Sequence, residues 1–352
     1  MHHVFKNILP KPNVTWIIRM CPIQLPAQGQ HGYSRVVPDI FKRCLKKNDE
    51  IFRHALNTGR PGRGGILMKW RGRQESTNVE DRRGRSVRRA GVGGLGGLGL
   101  IVAVVYMLMG GNPLDLLTVI QEQPTAYEQT GGSYQESAEE AQLRTFSAVV
   151  LKETEEVWHE LFARSGQSYE EPTLTIYSGS VQSGCGVASS GSGPFYCPLD
   201  RKIYLDLRFY DDMHSKFGAP GDFAMAYVIA HEVGHHVQNL LGILDKVHSQ
   251  RSRVSQDQFN ALSVKLELQA DYLAGVFAHH VQNKNLLDEG DFEEAMTAAS
   301  AVGDDTIQKK TQGYIMPDSF THGTSEQRML WFRKGFRTGD LSEGDTFRPG
   351  AM

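Results

Sequence analysis

The chain has 352 residues and a formal net charge of −2, with 40% apolar and 22% charged residues. This length and mix suit one large globular domain with appendages, or two small domains, and exclude a chain too polar to bury a core. The near-balanced charge provides no overall field for nucleic acid, and no nucleic-acid partner is expected.

Residues 1–67 carry scattered prolines, a mixed basic character and no sustained period of 2 or 3.6. They form an unassigned N-terminal extension. Either Met68 is the natural start, or the extension is cytoplasmic with a function of its own. A basic segment, 68–89, follows. From Lys69 to Arg89 eight Lys/Arg face three acidic residues, so this segment is expected on the cytoplasmic side of a membrane. The next stretch, AGVGGLGGLGLIVAVVYMLMGGNP, has no charged residue. It is long enough to span a bilayer, and 90–112 is expected as one transmembrane helix. A signal peptide is the competitor, but no small-x-small cleavage site follows Met109. The formal GxGxxG at Gly91, Gly93 and Gly96 follows RSVRRA rather than a strand and leads into an apolar run, a context that excludes a dinucleotide site.

Residues 113–136 read as a linker, interrupted by Gly, Pro and Gln. A domain is expected over 137–342, with 343–352 as a tail. It opens on a long helix striped by Leu143, Phe146, Val149, Val150, Val157, Leu161 and Phe162. The alternating runs LTIYSG and KIYLDL, separated by Gly/Ser/Pro turns, then predict a small antiparallel sheet. Cys185 and Cys197 lie within this region and are expected to pair in an oxidising compartment, with two free buried thiols as the alternative.

Next comes FAMAYVIAHEVGHHVQNLLG, a helix for which Asp222 is the expected N-cap and near Gly242 the expected end. His231 and His235 are four residues apart. They project from one face, where two imidazoles can hold one tetrahedral zinc. Glu232 can reach a metal-bound water without ligating the metal. Gly234 costs helix propensity inside the motif and implies a close neighbour. A lone HExxH is not decisive, and a third ligand is required. In the next helix, FNALSVKLELQADYLAGVFAHHVQ, Glu267 and Asp271 share one face of an apolar stretch. Buried carboxylates need cations or donors. Glu267 as third zinc ligand and Asp271 as acceptor for a ligand imidazole N–H satisfy both.

HEVGH, ELQAD and the later THGTSEQRMLWF together resemble the gluzincin metallopeptidases, and more narrowly the membrane-anchored "putative neutral zinc metallopeptidase" family of bacteria. The resemblance runs from MKWRGRQESTNVEDRRG at Met68 to about Thr338. It implies a zincin-like, mainly helical α+β peptidase domain on one membrane helix, a family start at Met68, one zinc per chain on His231, His235 and Glu267, and Glu232 as the base. It implies a peptide or protein substrate without naming one.

In such a site an oxyanion needs a donor beside the metal. His322, on a Gly-containing loop, is the candidate, and Tyr314 is a rival; a loop histidine can equally cap the helix that begins near Ser325. Arg328 is expected to brace that loop through Asp271 or a backbone carbonyl. Substrate is expected to extend along the sheet edge near Phe195 to Leu207. His159, His214, His236, His248, His279 and His280 receive no site role. The expected location is the inner membrane, single-pass, with the N-terminus cytoplasmic and the domain periplasmic. The alternative function is a catalytically silent, membrane-tethered binding or assembly module that retains the zinc fold. Glu232 speaks against it, because a structural zinc site needs no general base.

Overall fold

Ser137 sets the start of the first long helix, α1 (Ala138–Arg164), through a capping box in which its hydroxyl accepts the Glu140 N–H and the Glu140 side chain accepts the Ser137 N–H. The computed structural model describes residues 68–84 and 134–351. The expected extension 1–67 and apolar segment 90–112 lie outside the described residues. Among the described residues, no helix is long and apolar enough to cross a membrane.

Six short strands follow the chain: β1 (Val79–Asp81), β2 (Thr173–Tyr177), β3 (Ser180–Ser183), β4 (Gly186–Ser189), β5 (Phe195–Cys197) and β6 (Lys202–Asp206). The expected antiparallel sheet is corrected. The main sheet is mixed, in the order β1-β2-β6-β5. β1 lies parallel to β2 with Val79 opposite Leu174, and β2 lies parallel to β6 with Thr173 opposite Lys202. Only β5 runs antiparallel, with Phe195 opposite Tyr204. The cause is the path between β2 and β6. The chain makes the antiparallel β3–β4 hairpin, returns along β5, and so re-enters the sheet parallel to β2. Leu174, Ile176, Ile203 and Leu205 are buried in these central strands. β5 is left as an edge. The disulfide Cys185–Cys197 ties the β3–β4 turn to the end of β5.

The second half is helical. A short helix α2 (Phe209–Asp212) runs into a π turn (Met213–Phe217), followed by α3 (Asp222–Leu240), α4 (Ile243–His248), α5 (Gln256–Asn283), α6 (Asp291–Ala301), α7 (Asp304–Gln312) and α8 (Ser325–Thr338). Capping boxes of Ser255 with Gln258 and Thr324 with Gln327 start α5 and α8. The helices α5 and α8 cross so closely that a Cβ on Gly335 would lie 2.0 Å from the Tyr272 carbonyl oxygen. At α3, Gly221 rather than Asp222 is the N-cap; Asp222 is the first helical residue, and its carboxylate accepts the Met68 N–H at 3.2 Å.

Two segments set apart from the domain in the sequence pack against it. Residues 68–84, the described part of the expected basic segment 68–89, are built into the domain. Lys69 N–H bonds the Leu286 carbonyl, Ser76 N–H bonds the Ala148 carbonyl, and β1 extends the sheet. The buried guanidinium of Arg83 pairs with Asp81 and Glu136, both at 2.5 Å. The expected tail also packs: Thr346 is fully buried with its hydroxyl on the Lys265 carbonyl, and Gln269 bonds the Gly344 carbonyl.

Candidate metal centre

α3 is apolar nearly all round and is sandwiched between the sheet side, α5 and α6, which brings its His-Glu-x-x-His run into the interior. The cost accepted at Gly234 has a visible cause. A Cβ there would meet the Ala270 carbonyl oxygen at 3.1 Å and its Cα at 3.2 Å, so glycine lets α3 and α5 close on each other. That approach sets the metal-ligand spacing.

Nε2 of His231 lies 3.1 Å from Glu267 Oε2, and Nε2 of His235 lies 3.5 Å from Glu267 Oε1. Zinc with bonds of roughly 2.0–2.1 Å needs tetrahedral donors about 3.3 Å apart. The three side chains therefore fit the ion, and they form one of two candidate metal clusters among the described residues. Both imidazoles also have their far nitrogens fixed. His231 Nδ1 lies 2.9 Å from Asp271 Oδ1, and His235 Nδ1 lies 2.9 Å from Gln238 Oε1. With Nδ1–H donating to these oxygens, each Nε2 turns its lone pair to the common point.

Asp271 is fully buried and heavily bonded. It accepts from the Tyr227 hydroxyl at 2.5 Å and from Arg328 Nε and Nη2 at 2.8 and 3.0 Å. Arg328 also donates to the Val302 carbonyl at 3.0 Å; these contacts go to α5 and to the α6–α7 connection rather than to the His322 loop that it was expected to brace. Burial disfavours the charged form of Asp271, but Arg328 and His231 outweigh it and hold the carboxyl at about 2. For His231 burial opposes protonation, yet Asp271 and Glu267 raise it to about 9. The same site therefore attracts a cation strongly.

Glu232 is buried beside the ligands, and burial raises its pKa against the pull of His235 and His231. The Tyr196 backbone N–H of β5 acts on its carboxylate in the opposite sense, favouring the charged form. Since β5 pairs with β6 on its other side, the free edge of this strand faces Glu232. The Tyr196 hydroxyl is in turn held by Asn239 at 2.9 Å and faces His236 Nδ1 at 3.0 Å, which locks the strand to α3. His236, given no site role from sequence, is fully buried with Nε2 on the Glu170 carbonyl, and burial lowers it to about 4.

His322 is half-exposed, and its charge acts on Glu267. Its loop is clamped by Asp304: Oδ2 accepts the N–H groups of Thr321, His322 and Gly323, while Oδ1 faces His322 Nδ1 at 3.1 Å. Tyr314, the rival to His322, is 58% exposed. Sequence reasoning missed Tyr227, Gln238, Tyr196 and Asp304. Tyr227 and Gln238 carry a usable signal, because they lie four residues before His231 and three after His235 on the same helix.

Comparison with known proteins fits this geometry. The chain is 47% identical over 289 residues to the uncharacterized protein YpfJ of Escherichia coli K12, covering 80% of this chain and 99% of the relative. It is 43% identical over 190 residues to the uncharacterized protein Mb2605 of Mycobacterium bovis, covering 51% of this chain and 63% of that relative. No solved structure matches it. A family model described as "Putative neutral zinc metallopeptidase" matches residues 68–347, and the chain belongs to that family.

Proposed function

We propose that the protein is a zinc-dependent peptidase that hydrolyses a peptide bond with Glu232 as general base. The convergence of His231 Nε2, His235 Nε2 and a Glu267 carboxylate at tetrahedral spacing carries this reading. Zinc held there would polarise the scissile carbonyl and acidify a water. Glu232, not used as a ligand and raised by burial, takes the proton from the attacking water and delivers it to the leaving amine nitrogen. His322 supplies an imidazole N–H to the developing oxyanion, with Asp304 holding its ring and loop in place.

The substrate lies extended along the free edge of β5, adding a strand next to Glu232. β6 is interior, which narrows the expected edge to Phe195–Cys197. The decisive test is Glu232→Gln. It should keep zinc and remove cleavage of any peptide the wild type cuts; a variant that cleaves at the wild-type rate refutes the assignment.

We propose also that the apolar segment 90–112 holds this domain at a membrane on the extracytoplasmic side, where the Cys185–Cys197 disulfide persists. The Arg83–Glu136 ion pair supports reading residues 68–84 on the same side as the domain. Recovery of the whole chain in the soluble cytoplasmic fraction would contradict this location.

A further inference from the structure

A second cluster of carboxylates lies away from the zinc ligands, at the N-terminal ends of α3 and α6. One oxygen from each of Asp222, Asp291 and Glu294 lies within 4.8 Å of the others. First-turn acids ordinarily serve the backbone N–H groups and the dipole of their helices. Here that role occupies only one oxygen of each: Asp222 Oδ1 accepts the Met68 N–H at 3.2 Å, Asp291 Oδ2 the Asp288 N–H at 2.9 Å, and Glu294 Oε2 the Phe223 N–H at 3.1 Å.

The remaining oxygens are the anomaly. Asp291 is fully buried, and its Oδ1 has no hydrogen-bond partner; Asp222 Oδ2 is likewise buried and unpartnered. Buried carboxylate oxygens left without donors are costly unless a cation meets them. Lys69, whose charge acts on Asp291, is paired elsewhere: with Asp288 at 3.2 Å and with Asn285 at 3.5 Å. The backbone is also cleared for the cluster. A Cβ on Gly221 would fall 2.0–2.3 Å from the Glu294 carboxyl atoms, and Gly221 has φ +113°, a conformation that favours glycine.

We infer that Asp222, Asp291 and Glu294 bind a hard divalent cation, calcium in particular. An all-oxygen, all-carboxylate donor set selects calcium or magnesium over zinc. Calcium oxygen distances of roughly 2.3–2.6 Å allow donors up to about 5 Å apart, and its flexible coordination tolerates the irregular spacing here. The ion joins three pieces of chain: the start of α3, which carries the zinc-binding histidines, the start of α6, and the strap at Met68 whose N–H bonds Asp222. Its role is to fix the end of the active-site helix. Burial, with the neighbouring carboxylates adding for Asp291 and Glu294, raises Asp222 and Asp291 to about 6 and Glu294 to about 7, as expected for a cluster awaiting a counter-ion.

The test uses the full chain, zinc-loaded and exchanged into chelator-treated buffer. Calorimetric titration with calcium should show one saturable site, and terbium should bind there with emission excited through Trp70, whose indole N–H also favours the charged form of Asp222. Calcium should displace that emission. Asp291→Asn and Glu294→Gln should abolish calcium binding and retain one zinc. No saturable binding of calcium or magnesium by the wild type overturns the inference. So does binding that persists in both folded variants.

Discussion

The carboxylate of Asp271 lies 2.9 Å from Nδ1 of His231 while Arg328 grips the same carboxylate from the other side at 2.8 Å. Arg328, fifty-seven residues beyond Asp271 in the chain, thus helps to set the orientation of the His231 imidazole through that carboxylate. Removing the guanidinium by Arg328→Ala leaves a buried carboxylate without its cation. Unfolding in urea should show a loss of about 3–5 kcal/mol. In Asp271→Asn, competition with a chromogenic chelator should show zinc held roughly 10–100-fold more weakly.

The glycines at the helix crossings predict a graded series. Gly234→Ala must push α3 from Ala270 by a few tenths of an ångström, a cost of about 1–3 kcal/mol, with weaker zinc binding because the His-Glu spacing opens. Gly335→Ala sets a Cβ 2.0 Å from the Tyr272 carbonyl oxygen, and neither backbone can yield alone. Thermal unfolding should rank wild type above Gly234→Ala, and Gly234→Ala well above Gly335→Ala.

The disulfide closes a twelve-residue separation between the β3–β4 turn and β5. Replacing both cysteines by serine should cost about 3 kcal/mol in urea unfolding. The loss should fall on the hairpin and the edge strand, so hydrogen exchange should quicken in β3 to β5 and remain slow in α5.

Acidic groups at the start of α3 and α6 give a pH signature. Asp222, Asp291 and Glu294 bind their protons more tightly folded than unfolded, with folded values of about 6, 6 and 7 against ordinary values of 3.8, 3.8 and 4.5. Their contribution is full below the ordinary values and is lost as pH rises through 6 to 7. Without added calcium, the unfolding midpoint of the wild type relative to Asp291→Asn should fall between pH 5 and pH 8. Millimolar calcium should flatten that slope.

The grouping of His231, His235 and Glu267 was legible in the sequence because its parts follow helix periodicity. His231 and His235 are one turn apart, and Glu267 and Asp271 are acids on an apolar face, an arrangement with few inexpensive explanations. The helix start at Ser137 carries a similar local signal, a serine followed three residues later by Glu; Ser255 with Gln258 carries the same kind of signal, although that helix was expected only from Phe259. β1 was not. Val-Glu-Asp is short and charged, lies more than ninety residues before its partner β2, and becomes a strand only through parallel pairing that no local pattern announces. Strand direction in the main sheet was hidden likewise, since alternation fixes which face is buried and not which neighbour a strand takes. Asp222 read as a cap because a first-turn acid normally is one; only the fold brings Met68 and Glu294 to it. Tyr227 and Gln238 were masked by the apolar helix around them, and their role shows only in the hydrogen bonds to Asp271 and His235.

The most direct test of the metal centre is zinc content, measured by elemental analysis on the purified full chain and on its Glu267→Ala variant. Stoichiometry depends on the site alone and not on finding the right peptide. One zinc per folded wild-type chain, largely lost from the variant, is the expected result. A folded wild-type chain that takes up no zinc, or a variant that keeps it, would contradict the assignment of His231, His235 and Glu267.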